Sequence, residues 1–417
     1  MTRPEFISAI SKGQGRAIAA IRNGEFTPSL HDLKRTVLRW PGYDSQCETS
    51  RGWYCTELIK SSSHETELTE LVLRHVARTK GSWRHRSHKD AITFEFAKRG
   101  EHKAREALYA YFDPANDFRF AEEILEIDGF AGLSWLIPRL MVRLLPDEFW
   151  RCGLLASYAG ELLGEQVVSD WLETESSTRP EVAEFARLAA EKPKQSPRPD
   201  GRSIANLSFA AIRELWFGPG VSRSAVWQWA AKAPKNEVTM AWRAFEIEGE
   251  RTWLHVLSRA LRRKAQYARV ETIIKRARTW NDDSNPFAEA LEEVVDPRVR
   301  QLGFELIADG WIADGMALVA TNAMSGDEGP MLAALNSLSD ADNVHHAGCD
   351  ILRIENGIDK RDLLLWIYEH GPCSFCRESA VNDLIQAGQA PDWLLKECLL
   401  DCVSDTRELA TTALLLS

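Results

Sequence analysis

The amino-acid sequence predicts an all-α protein, an α-solenoid of stacked antiparallel helical hairpins. Three observations carry this expectation: helical periodicity recurs along the chain, strand signals are scarce, and one short helical template returns in the C-terminal half. In residues 65–79, Leu68, Leu71, Val72 and Val76 are spaced i, i+3, i+4 and i+8, which puts them on one helix face. Glu65, Glu67 and Glu70 precede Arg74 and Arg78, an order that suits the helix dipole. No series of alternating β-branched runs is joined by Asn-Gly or Asp-Gly turns.

The same spacing, broken by Gly, Pro or Asn/Asp clusters, predicts helices over 3–22, 29–40, 65–79, 86–99, 101–112, 118–128, 130–145, 147–173 and 180–190. It continues over 204–217, 222–233, 235–248, 250–264, 266–280, 285–293, 297–309 and 311–323. The last are 328–338, 343–355, 358–370, 374–387, 391–400 and 404–415. Short connections between such helices make antiparallel neighbours. Residues 191–203 hold three Pro and almost nothing apolar, and read as a linker or exposed loop. They divide the chain into N-terminal helical repeats, 1–190, and C-terminal repeats, 204–417.

Three C-terminal helices share the template. Asp296-Pro297-Arg298-Val299-Arg300 is followed by Gly303 and Ile307; Arg377 by Ala380 and Leu384; Arg407 by Ala410 and Leu414. Asp-Pro starts a helix, with Asp as cap and Pro at its first position. The small residue lets a neighbouring helix approach, and the aliphatic residue fills the seam. A lone hairpin cannot bury its apolar face, so hairpins must stack. The first two units lie 77 residues apart, near twice a repeat of roughly 40 residues. The first unit resembles the Asp-Pro-x-Val-Arg-x-x-Ala-x-x-x-Leu helix of HEAT repeats, with Gly303 in the small position. With the segments 43–51 and 371–378, these units resemble a group of bacterial HEAT-repeat-like proteins of similar length. That resemblance covers most of the chain and implies the fold, but brings no activity and no site residues.

Composition sets further bounds. Hydrophobic residues make up 44% and charged residues 27%, the balance of a folded chain. A net charge of −10 opposes nucleic acid and anionic membranes at long range, though a local basic groove must be read separately. The N-terminus carries no apolar signal region, and no stretch approaches about 18 uncharged apolar residues. The expectation is a cytoplasmic protein with no membrane partner, its eight Cys kept as reduced thiols.

Several constellations bear on chemistry. His370, Cys373 and Cys376 are spaced H-x-x-C-x-x-C, and Cys398 and Cys402 follow as C-x-x-x-C. Two such pairs match the four soft ligands of zinc. They also match core thiols, because Cys376 falls where the template wants Val, or a redox pair. The second constellation is a basic helix pair with Arg259, Arg262, Arg263, Lys264, Arg269, Lys275, Arg276 and Arg278, interleaved with Tyr267 and Trp280. It reads as contacts to a phosphate backbone or another anion, or as a solvated face paired with the acidic surplus. The segment 83–89, WRHRSHK, is either an anion-binding loop or a helix boundary capped by Ser87. Asp44, Gln46, Glu48 and Arg51 offer acid–base groups, or an exposed i, i+3 ion pair between Glu48 and Arg51. His75 reads as a buried structural histidine. The adjacent His345 and His346 point to different sides of a helix and make a poor metal pair.

The phosphate-loop, zinc-protease and nucleophile-elbow motifs are absent from the sequence. No catalytic residue and no cofactor is assigned. The leading expectation is a non-catalytic scaffold that recognises a protein or peptide on a concave solenoid surface. The alternative is a nucleic-acid-binding protein, such as a DNA-repair enzyme resembling HEAT-like alkylpurine glycosylases. A third is an enzyme that uses the thiols.

Overall fold

The computed structural model describes residues 1–44, 48–77, 83–113, 118–145, 148–191, 207–217, 222–247, 250–267, 269–282, 284–355 and 357–416, with the backbone alone at 265–267. The described chain is all-α: helices follow one another from Arg3–Lys12 to Ser404–Leu416. Among the described residues there is no strand, and one isolated bridge joins Asp113 to Arg119. No described helix is long and apolar enough to cross a membrane.

Local chemistry sets many helix ends. Thr2 caps the helix Arg3–Lys12 in a reciprocal capping box with Glu5. Asp296 caps Pro297–Ala308, accepting from the Arg298 N–H at 2.8 Å, with Pro297 at the first position. Where the expected helices differ, glycine is usually the cause. The expected 3–22 is two helices, Arg3–Lys12 and Arg16–Arg22, because Gly13 takes φ 75° between them. Likewise 147–173 breaks at Gly164, φ 96°, into Trp150–Leu163 and Glu165–Ser176. The expected 118–128 and 130–145 are instead one helix, Ala121–Arg143, kinked at Gly129. The helix Gly52–Ser61 was not expected from periodicity. It buries Tyr54, Cys55, Thr56, Leu58 and Ile59, so no polar stripe marks it.

Two compact units emerge. The first comprises residues 1–196 and 393–417, the second 197–392. In the first, the C-terminal segment closes on the N-terminal helices. The Cys402 N–H donates to the Gly13 carbonyl at 2.9 Å, and Arg16 pairs with Glu397 at 2.7 Å. The Arg407 guanidinium lies 3.7 Å over the Trp53 ring.

In the second unit, consecutive helices pair and alternate helices also touch. Arg251–Leu261 packs on Pro286–Leu291, that on Ile312–Thr321, that on Ala341–Leu352, and that on Ser374–Gln386. A second series runs Val270–Thr279 to Pro297–Ala308 and Glu328–Leu335 to Arg361–His370. Trp229, Trp242 and Trp253 anchor the core, the first two donating to the Leu207 and Lys264 carbonyls at 2.9 and 3.1 Å.

The Arg position of the sequence template does different work in different helices, while the small position is buried in all three. Arg300, Arg377 and Arg407 each occupy the fourth residue of a helix. Arg377 reaches back to the carbonyls of Gly371 and Pro372, both at 3.1 Å, and Arg407 to those of Asp401 and Cys402 at 2.8 and 3.2 Å. Arg300 pairs instead with Asp327. Gly303, Ala380 and Ala410 are all buried. A Cβ on Gly303 would lie 2.8 Å from Val319 Cγ2 and 2.9 Å from the Gly315 carbonyl. Gly303→Ala is therefore expected to destabilise by about 1–3 kcal/mol through overpacking, although Ala favours helix by about 1 kcal/mol. Urea unfolding followed by tryptophan fluorescence checks the sign; a stabilised variant would refute close approach.

Candidate functional site

The second unit contains a cleft of about 730 Å³ built by successive helices. Arg251–Leu261 contributes His255 and Arg259; Pro286–Leu291 contributes Glu289, with its cap Asn285. Ile312–Thr321 contributes Asp314, and Ala341–Leu352 contributes His346, Cys349 and Asp350. Trp227 and Trp311 supply the apolar faces.

Four carboxylates share this space, and their partners sort them. Burial pushes Glu289 up, but bonds from His255, from Ser258 at 2.5 Å and from Arg259 at 2.5 Å outweigh it and hold the carboxyl below its usual range. His255 also meets the Ser284 hydroxyl at 3.1 Å through Nε2. Burial pushes Glu292 up despite Arg262 at 2.7 Å. Burial pushes Asp350 up to about 7, against the opposing charge of its partner Arg353. Asp314 is pushed up to about 6 by burial, with Glu289 and Glu292 adding to the shift and the Asn285 N–H opposing it. Among the described residues no Lys or Arg forms an ion pair with Asp314. Clustered, perturbed acids in a cleft make this a candidate functional site.

Beside the cleft lies a thiol–imidazole cluster. The Cys349 and Cys376 sulfurs are 3.6 Å apart; His345 Nδ1 is 3.6 Å from Cys376 Sγ and 4.0 Å from Cys349 Sγ. A hydrogen bond from the Cys376 thiol draws Cys349 down to about 7, while that same bond pushes Cys376 up. Cys373 caps the helix Ser374–Gln386, its sulfur accepting from the Cys376 N–H at 3.4 Å.

The thiols singled out by spacing are thus distributed. Cys373 and Cys376 stay together, and His370 stacks on Trp366 at 5.3 Å between ring centroids. Cys398 and Cys402 are buried in the other unit. Cys349 and His345 join Cys376 instead. The available signal was His345-x-x-x-Cys349, one turn apart on a single helix. Spacing gave no hint of Asp314 or Glu289, which are ordinary acids until helices converge around them.

Six of the eight residues of the basic helix pair meet acids. Arg259 pairs with Glu289, Arg262 with Glu292, Arg263 with Glu293 at 3.8 Å, Arg269 with Glu246, Lys275 with Glu271 and Arg278 with Glu305. Arg276 lies 4.8 Å over the Phe287 ring, and Lys264 is half-buried with its carbonyl accepting from Trp242. The Tyr267 side chain lies outside the described residues.

In the first unit, the helix begins at Trp83, so Ser87 is not its cap. Arg84 pairs with Asp44, and the Trp40 N–H donates to His85. His88 is buried, donating from Nε2 to the Thr36 carbonyl at 2.9 Å; burial lowers its pKa to about 4. His75 is half-buried, its Nδ1 2.9 Å from the Leu71 carbonyl. The Glu48–Arg51 pair is not exposed: both side chains are 0% accessible. The helix Gly52–Ser61 and the returning segment around Cys402 cover it. Gln46 lies outside the described residues.

Fold and site together define an all-α protein with a mixed-charge cleft and an adjoining thiol–imidazole cluster in one of its two units. No family model, curated protein or solved structure matches the chain.

Proposed function

We propose that the chain is a HEAT-like helical-repeat binding protein whose 197–392 unit takes a peptide segment bearing a basic side chain into its cleft. The alternate packing of helices in that unit supports the repeat reading, since stacked hairpins present one continuous lined surface. The observation that carries the ligand class is Asp314, a carboxyl held near Glu289, Glu292 and His255 and, among the described residues, in no ion pair with Lys or Arg. A guest ammonium or guanidinium would supply that charge, and Trp227 and Trp311 would receive its aliphatic stem. The arginines of residues 259–278 are largely committed to acids, so the nucleic-acid reading draws little support from them. The reading places the protein in the cytoplasm, where its thiols stay reduced.

A peptide array tests this. Labelled full-length protein should retain peptides containing Lys or Arg over otherwise identical peptides containing Glu or norleucine. Asp314→Asn should weaken that retention by about 10-fold or more, the value of a charge-assisted bond. Equal retention of basic and acidic peptides, or no change in Asp314→Asn, would overturn the proposal.

A further inference from the structure

The same unit carries a second set of groups, argued from different residues than the peptide reading although Cys349 lines the same cleft. We infer that His345, Cys349 and Cys376 form a binding site for one zinc(II) ion, with the fourth coordination position left to water. The residue types are right: two thiolates and one imidazole are soft ligands that zinc prefers. The geometry is also right. Tetrahedral zinc with bonds of about 2.3 Å to sulfur and about 2.0 Å to nitrogen separates its sulfurs by about 3.8 Å and sulfur from nitrogen by about 3.5 Å. The cluster has 3.6 Å between sulfurs and 3.6 and 4.0 Å from sulfur to His345 Nδ1. All three ligand atoms lie within 4.8 Å of one another, with no side chain needing to move far.

The scaffold explains why these atoms meet. His345 and Cys349 are one turn apart on Ala341–Leu352, and Cys376 faces them from Ser374–Gln386, which packs on that helix. Cys376 occupies the first turn of its helix, where backbone N–H groups favour a thiolate. Arg353, whose Nε reaches the Cys349 carbonyl at 3.4 Å, adds positive charge nearby. The Cys373 sulfur is not among the ligand atoms that lie within 4.8 Å of one another, so it is not counted as the fourth ligand. Cys349 also lines the cleft, so water reaches the site from there. Three protein ligands with water in the fourth place is the arrangement of reactive rather than purely structural zinc. Binding exchanges thiol protons for the metal, and those protons leave to solvent.

The test uses the full chain, stripped of metal by a chelator and kept reduced, then titrated with cobalt(II) followed by zinc(II). One equivalent of cobalt should give the intense visible bands of a tetrahedral ion and a sulfur-to-cobalt charge-transfer band. One equivalent of zinc should bleach both. Cys349→Ser, Cys376→Ser and His345→Ala should each weaken binding by at least about 100-fold, whereas Cys373→Ser and Cys398→Ser should keep the full spectrum. Because a variant that unfolds would also lose binding, alkylation of Cys349 in the wild-type protein gives a second readout: one equivalent of zinc should block it. A wild-type protein without tetrahedral bands, a spectrum that survives Cys349→Ser, or alkylation indifferent to zinc would overturn the site. A diminished charge-transfer band in Cys373→Ser would overturn the open fourth position.

Discussion

Replacing Arg51 with Met is expected to destabilise the protein by about 3–5 kcal/mol, because it removes the guanidinium charge that faces the buried Glu48 carboxylate. Both side chains are inaccessible, and among the described residues Arg51 also donates to the Ser11 carbonyl, at 3.3 Å, through the same nitrogen. Glu48→Leu should cost a similar amount, because it leaves the Arg51 guanidinium buried without a carboxylate. The double variant Arg51→Met with Glu48→Leu should recover much of the loss, since an apolar pair of similar volume has no charge to desolvate. Urea midpoints of the four proteins measure the coupling. Losses that simply add would mean that the pair does not act as a unit. The environment is tight: a Cβ on Gly13 would fall 1.7 Å from an Arg51 nitrogen and 2.4 Å from Cys402 Sγ.

Asp314→Asn should do the opposite and stabilise the protein at about pH 8, by up to about 3 kcal/mol, while changing little near pH 4. The sign follows from proton binding. The carboxyl titrates at about 6 in the folded protein against an ordinary value of 3.8. Between those values the folded state holds a proton that the unfolded chain has released. The favourable contribution of the protonated acid is therefore complete below about pH 4 and lost as pH rises through 6. Above that, the wild-type protein bears the cost of a half-buried, partly desolvated charge, which the amide lacks. Thermal unfolding of both proteins across this range checks it. An equal shift at both ends, or destabilisation at high pH, would show that Asp314 is not held against its charge. A substitution that both stabilises the fold and removes basic-peptide retention is what a binding residue produces, since sites keep strained groups that the fold does not need.

How much was legible in advance depends on the range of the interaction. Helix content, the Asp296-Pro297 start and the close approach at Gly303 were readable because each rests on residues within a few turns. Gly13 and Gly164 were visible as glycines, but whether a glycine breaks a helix depends on what packs around it. The helix Gly52–Ser61 escaped because it is buried on several sides and shows no polar stripe. Cys376 was visible as a candidate ligand, yet its companions were not: Cys349 lies 27 residues away and His345 lies 31.

The sequence by itself determined the helical class, most helix ends and the buried small position of the template, since capping, periodicity and side-chain volume act locally. Tertiary structure alone decided that Glu48 and Arg51 are buried, that Asp314 sits among carboxylates, and that two thiols and an imidazole converge. Each of those depends on which helices pack together, and burial and Coulomb energy in a low-dielectric interior exist only once they have done so.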